Sequence, residues 1–311
     1  MHSGSRRLEN TLAEIVADTP VLSVVIPFHS TPAADRYGML AELLSSIPSS
    51  PQVEVIIVDD HSNPKLSEES YGTHRVLSVD GARRYAGAAR NVGLESARGN
   101  YVIFADSDDV FSQEALQCVV RQLAATPAED FVVYLAKARE FSQDLDSNKG
   151  PVLYENILRT PSDDPVGRRL IGWHAPWGKI LPRAQLMKSD ARFEENAKVA
   201  NDAVFAAHLA VLATEVRVLD EDLYFVRRNH GAGALTARVD PQSVSARINA
   251  YRKMNAVVQR KERTDLMIPM HHAFRRHFTD APLIVFREIV RSAISGETIL
   301  PRRARKGSTR W

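Results

Sequence analysis

Apolar and polar positions along the chain fall into two periods. Continuous β-branched runs, "VLSVVIPF" (21–28), "VEVIIVDD" (53–60), "NYVIFAD" (100–106) and "DFVVYLAKA" (130–138), predict strands buried on both faces; "HRVLSV" (74–79) is a weaker one. Between them, "AELLSSI" (41–47), "RRYAGAARNVGLESARG" (83–99) and "SQEALQCVVRQLAA" (112–125) follow helical spacing. Gly99 is a stop for the second of these helices; Ser112 is a cap for the third, with Glu114 in its first turn. Strands alternating with helices imply βαβ crossovers, hence an α/β fold with a doubly wound, mostly parallel sheet covered on both faces.

Past Phe141 the pattern loosens, and 141–165 reads as irregular and polar. "FEENAKVANDAVFAAHLAVLA" (193–213) ends in an amphipathic helix, and "VRVL" (216–219) and "LYFVRRN" (223–229) predict two further short strands. Helices then run through "SARINAYRKMNAVVQRKE" (245–262), "MHHAFRRHF" (270–278) and "LIVFREIVRSAI" (283–294). The expected division is an N-terminal extension over 1–20, an α/β domain over 21–239 and a helical, basic region over 240–311.

Composition changes this picture in two places. A single cysteine, Cys118, excludes an internal disulfide and suits a reducing compartment. The first residues do not read as a signal peptide and no run is long enough to span a bilayer, so a cytoplasmic location is expected, with peripheral contact to the inner face of a membrane left open. The net charge of +2 hides an asymmetry: residues 241–311 carry fifteen Lys and Arg against five Asp and Glu, and the rest carries 25 against 33. Such a tail suits an anionic membrane surface or an acidic acceptor, or is a solvated face of helices packed on the α/β domain. No nucleic-acid reader motif accompanies it.

The candidate chemistry lies in "GNYVIFADSDDVF" (99–111), where an apolar run ends in Asp106, Asp108 and Asp109. The run over 53–60 likewise ends in Asp59 and Asp60. In doubly wound sheets ligands sit beyond the carboxyl ends of the strands. Paired hard oxygens there suit Mg²⁺ or Mn²⁺ carrying phosphate oxygens; the alternative is an Asp-rich capped turn. No GxGxxG follows the first strand and no GxxxxGK[ST] or HExxH occurs, so dinucleotide-binding, P-loop and zinc-protease readings are unsupported.

Taken together, "LSVVIPFHS", "VEVIIVDDHS", "ARNVGLESARGNYVIFADSDD" and the later "W-G-K…RFEEN…NDAVF" resemble the family 2 glycosyltransferases, of the GT-A fold. The resemblance covers roughly Val21 to Asn229. It implies a metal-assisted, inverting transfer from a nucleotide sugar, foremost a UDP-sugar, with Mn²⁺ or Mg²⁺ as cofactor. The acceptor implied is a cell-surface glycan or its lipid-linked precursor. By the same resemblance Pro27 and His29 line the base pocket, Asp60 hydrogen-bonds the base, and Arg84 and Arg90 face the diphosphate or base. Asp106 and Ser107 contact the donor, Asp108 with Asp106 holds the metal, and Asp109 is a cap or support. Asp202 stands where the family places its general base. Trp177 and Lys179 match an acceptor-side W-x-K element, beside Trp173, which stacks on a sugar or packs in the core. His29 replaces a frequent Tyr, His61 a frequent Gly and Asn201 a frequent Glu; His230 follows at the end of the match. Two rivals stand beside this reading: a sugar nucleotidyltransferase, which lacks its phosphate loop here, and a non-catalytic glycan-binding protein of the same fold.

Overall fold

The computed structural model describes residues 19–126, 128, 130–141, 152–159, 166–227, 240–279 and 281–295. Four parallel strands form one half of the sheet: β1 (Leu22–Phe28), β2 (Val53–Asp59), β3 (Arg75–Ser78) and β4 (Tyr101–Phe104). The other half is mixed, built from β5 (Val110–Phe111), β6 (Val132–Phe141), β7 (Val152–Leu153), β8 (Lys179–Pro182) and β9 (Glu215–Arg227). The strand order is β3-β2-β1-β4-β8-β6-β9-β5, with β7 on β6. β8, β7 and β5 run against their neighbours, and the remaining strands share one direction.

In the central strands β1, β2 and β4 both faces are buried, as the continuous apolar runs require. In β2, Val55 and Ile57 join the main core while Ile56 and Val58 face a second cluster with Ala88 and Ala89. Those alanines belong to helix α2 (Tyr85–Ser96), which follows α1 (Tyr37–Ser46). α2 lies so close to β1 that a Cβ on Gly93 would sit 2.3 Å from Val25 Cγ1. Small residues at helical spacing therefore mark a helix pressed onto a strand.

Register decides what meets at the carboxyl rim. Phe28 pairs with Asp59, and the Asp60 N–H donates to the Phe28 carbonyl at 2.8 Å. On the other side Val25 pairs with Phe104, and the Ala105 N–H donates to the Val25 carbonyl. The chain leaves β1 toward β2, and β4 returns on the opposite side, so this is the point where strand order reverses.

Three expectations change. The helix α7 (Asn201–Leu212) is not amphipathic: Asn201 and Ala203–Ala210 are all buried, because helices and sheet enclose it. The two short strands at 216–229 are one, β9, with register shifts against β6 between Leu135 and Ala138 taking up the misfit. Within the loosely patterned 141–165, the described part forms β7 and a short helix (Glu155–Leu158).

The C-terminal helices are α8 (Pro241–Arg260), α9 (Met270–His277) and α10 (Pro282–Ile294), once α3 (Gln113–Ala124), α4 (Glu155–Leu158), α5 (Val166–Ile171) and α6 (Arg183–Met187) are numbered. Met254, Val257 and Val258 of α8 belong to the main core. Val244 and Ile248, one end of the same helix, instead form a satellite core with Met270, Phe274 and Val285. No helix among the described residues is long and apolar enough to cross a membrane.

Candidate active site

The turn after β4 is held from below by β9. Immediately past the aspartates, β5 pairs with β9, Phe111 opposite Tyr224 and Val110 opposite Phe225. The fully buried Tyr224 hydroxyl accepts from the Asp106 N–H and donates to Asp109 Oδ2, each at 2.8 Å. Asp109 Oδ1 accepts from the Arg227 N–H at 2.8 Å, and Arg227 Nε donates to the Asp108 carbonyl at 2.9 Å. Asp109 is therefore a structural floor of the turn. Burial, then the charges of Asp106 and Asp108, push its carboxyl well above the usual carboxylate range. Burial and the Asp109 charge raise the Tyr224 hydroxyl in turn.

Asp106 and Asp108 point the other way, their side chains 32% and 19% exposed. The buried Arg90 guanidinium donates to Asp106 Oδ1 at 2.6 Å and to Asn201 Oδ1 at 3.0 Å, and its face lies 5.3 Å from the Phe193 ring centroid. Arg90 is thus directed inward, joining the rim to the first turn of α7. Asn201 accepts as a neutral amide, which leaves Asp106 as the anion on that guanidinium. Asp202, next along the helix, is partly exposed and makes no hydrogen bond or ion pair among the described residues. Arg36 Nη1 lies 3.8 Å from Asp108 Oδ2, and its own side chain is 41% exposed.

The segment before α7 is fastened to α2. Asn91 exchanges hydrogen bonds with the Phe193 backbone and donates to Glu195, and Arg83 grips Glu195 with two donors. Gly87 packs under the same segment; a Cβ there would lie 2.2 Å from the Glu194 carbonyl oxygen. "ARN" and "RFEEN", distant in sequence, are one hydrogen-bonded assembly.

Across the crevice, His29 is exposed and its Nδ1–H donates to the Asp60 carbonyl at 2.6 Å. His61, at φ 58°, lies 3.0 Å from Asp60 Oδ1 through Nδ1. The buried Asp59 accepts from the Ser62 and Leu66 N–H groups and shapes the loop that carries Asp60. Pro27 is buried within β1, Ser107 is buried inside the turn, and Arg84 is exposed at the start of α2.

Trp173, Trp177 and Lys179 are core residues. Trp177 stacks on Tyr224 at 5.8 Å and 16°, so it braces the turn from beneath. Lys179 donates to the Ala175 carbonyl and sits 5.1 Å from the Trp173 ring. Burial pushes its ammonium well below the usual lysine range, against the pull of the Asp202 charge. His230 lies outside the described residues.

Sequence reasoning missed Tyr224, Arg227 and Arg36. Three carboxylates within four positions demand nearby donors, which was the available signal. The donor Tyr224 is 115 positions from Asp109, so only the fold could locate it.

Residues 23–171 match the family model described as glycosyl transferase family 2. The chain resembles that family over just under half of its length. Among curated relatives, it is 26% identical over 232 residues to the minor teichoic acid biosynthesis protein GgaA of Bacillus subtilis strain 168, covering 70% of this chain and 49% of that protein. It is 24% identical over 274 residues to the poly(ribitol-phosphate) β-N-acetylglucosaminyltransferase TarS of Staphylococcus aureus strain Mu50, covering 83% and 44%. The chain spans about half the length of these relatives. The crystal structure of S. aureus TarS 1–349 in complex with UDP-GlcNAc superposes with a TM-score of 0.60 at 20% identity, over 89% of this chain and 92% of that one. The GT-A-like α/β fold of that neighbour is therefore the fold observed.

Proposed function

We propose that this chain is an inverting glycosyltransferase that moves a sugar from a UDP-sugar to a hydroxyl of a glycan or lipid-linked acceptor. The observation that supports the reading is the Arg90 bridge, which ties Asp106 at the rim to Asn201, the chain neighbour of Asp202. The donor's base would lie between β1 and β2, against His29 and Asp60, with the diphosphate over Asp106 and Asp108. Asp202 takes the proton of the acceptor hydroxyl as its oxygen attacks the anomeric carbon and the bond to the diphosphate breaks. Attack opposite the leaving group inverts the configuration with no covalent intermediate on the enzyme. The likeness to a structure holding UDP-GlcNAc supports uridine as the base and makes that donor the first to test.

Asp106 and Asp108 fit a divalent metal of the hard, oxygen-binding kind. Mg²⁺ and Mn²⁺ sites of this type take one or two carboxylates and complete the shell with phosphate and water oxygens. That suits a rim where, among the described residues, no three His, Cys, Asp or Glu side chains gather as a ready cage. When bound, such an ion neutralises charge developing on the departing diphosphate. Arg36 and Arg90 stand beside the same carboxylates, so the chain's own cations keep the unliganded rim from carrying bare paired charge.

The test is release of nucleoside diphosphate from a panel of nucleotide sugars with Mn²⁺, Mg²⁺ or EDTA, alone and with glycan acceptors. Metal-dependent release of UDP, abolished by EDTA and by Asp108→Ala, is expected. Silence across donors and acceptors, with no metal-dependent binding of UDP by calorimetry, would overturn the reading.

A further inference from the structure

The last described helix, α10, has apolar residues on two sides. Its inward side carries Val285, in the satellite core, with Glu288 and Ser292, both buried and both held by Arg252 of α8, at 2.7 Å to Glu288 Oε2 and 2.8 Å to Ser292 Oγ. Its outward side carries Leu283, Phe286, Val290 and Ile294, which are 84%, 64%, 42% and 83% exposed. Spacings of three, four and four residues place these four on one stripe of the helix. A helix facing water on that side would carry polar residues there.

The charge around the stripe identifies what it faces. Arg287 and Arg291 follow the apolar residues along one border, with side chains 72% and 69% exposed. The sequence that continues from the helix, residues 296–311, carries five Lys and Arg against one Glu. Apolar side chains flanked by cations are the composition of a helix lying in the plane of a membrane interface, with its apolar side in the acyl boundary and its cations at the headgroups. We propose that α10 docks on an anionic lipid surface through Leu283, Phe286, Val290 and Ile294, with Arg287 and Arg291 supplying the electrostatic part. Arg252 fixes α10 to α8, which packs on the site helix α7. The bilayer would then be held at a set position relative to the rim.

Flotation of the full chain with phosphatidylcholine vesicles, with and without phosphatidylglycerol, tests this without donor or acceptor. The wild type is expected to float with the anionic vesicles and to be released by added salt. Phe286→Asp combined with Ile294→Asp, at exposed positions that leave the core intact, should cut the bound fraction about tenfold or more, as should Arg287→Glu with Arg291→Glu. Thermal melting of the variants confirms that they fold. Absence of flotation, equal flotation with neutral vesicles, or binding unchanged by Phe286→Asp with Ile294→Asp would overturn the proposal. A concentration-dependent dimer abolished by those same substitutions would also overturn it, because the stripe would then be covered by a second copy of the chain.

Discussion

Tyr224 is the residue on which the aspartate turn depends most. Its hydroxyl serves an N–H on one side and a buried carboxylate on the other, and its ring is stacked on Trp177. Tyr224→Phe keeps the ring and leaves two buried polar groups without this partner, at about 1–3 kcal/mol. A lower unfolding midpoint is expected together with weaker binding of UDP, measured by denaturation and calorimetry; unchanged values for both would deny it the role. At the opposite end of the sheet, buried Glu54 accepts from the Ser23 hydroxyl, the Arg98 N–H, Arg75 and Arg98. Burial raises its carboxyl, but these four donors together outweigh that and hold it below its ordinary value of 4.5. A carboxylate depressed in the folded state adds stability that is complete above its unfolded pKa and disappears as pH falls through the folded one. The stability difference between wild type and Glu54→Gln should therefore be full at neutral pH and shrink below about pH 4.5, as followed by denaturation midpoints. A difference constant across that range would show that the charge is not what matters.

Among the elements, the joint between α2 and the segment leading into α7 sets the geometry of the site. Gly87 permits it, because no side chain fits between α2 and the Glu194 carbonyl. Gly87→Ala should push that segment away and carry Asn201 and Asp202 with it, lowering turnover more than it lowers UDP affinity. Equal losses in both would place the damage in the fold at large. Much of this level was legible in the sequence. β-branched runs announced β1, β2 and β4, small residues at helical spacing announced α2, and the residues at strand ends announced the rim. β5 was not legible, since two residues carry no periodicity, and the burial of α7 was not, since an apolar helix looks alike at a surface and in a core. Lys179, read from the resemblance as an acceptor-side residue, lies with Trp177 in the core; a lysine in sequence gives no sign that its ammonium is enclosed.

For the whole molecule, the charge asymmetry seen along the sequence becomes a spatial division. The carboxylate rim lies at the reversal of strand order, and the net positive charge of residues 241–311 belongs to a region whose first helix shares the main core. Donor chemistry and the outward apolar stripe are thus properties of one packed body, joined through α8 and α7. The central claim is that Asp202 is the base that makes this body an enzyme. The most direct measurement compares wild type with Asp202→Asn for UDP release from the active donor in the presence of acceptor, alongside UDP binding by calorimetry. The substitution keeps size and polarity while removing basicity. The account predicts unchanged UDP affinity with turnover reduced by about 10²–10⁴-fold. Turnover within a few-fold of wild type would contradict it and require another group to accept the proton.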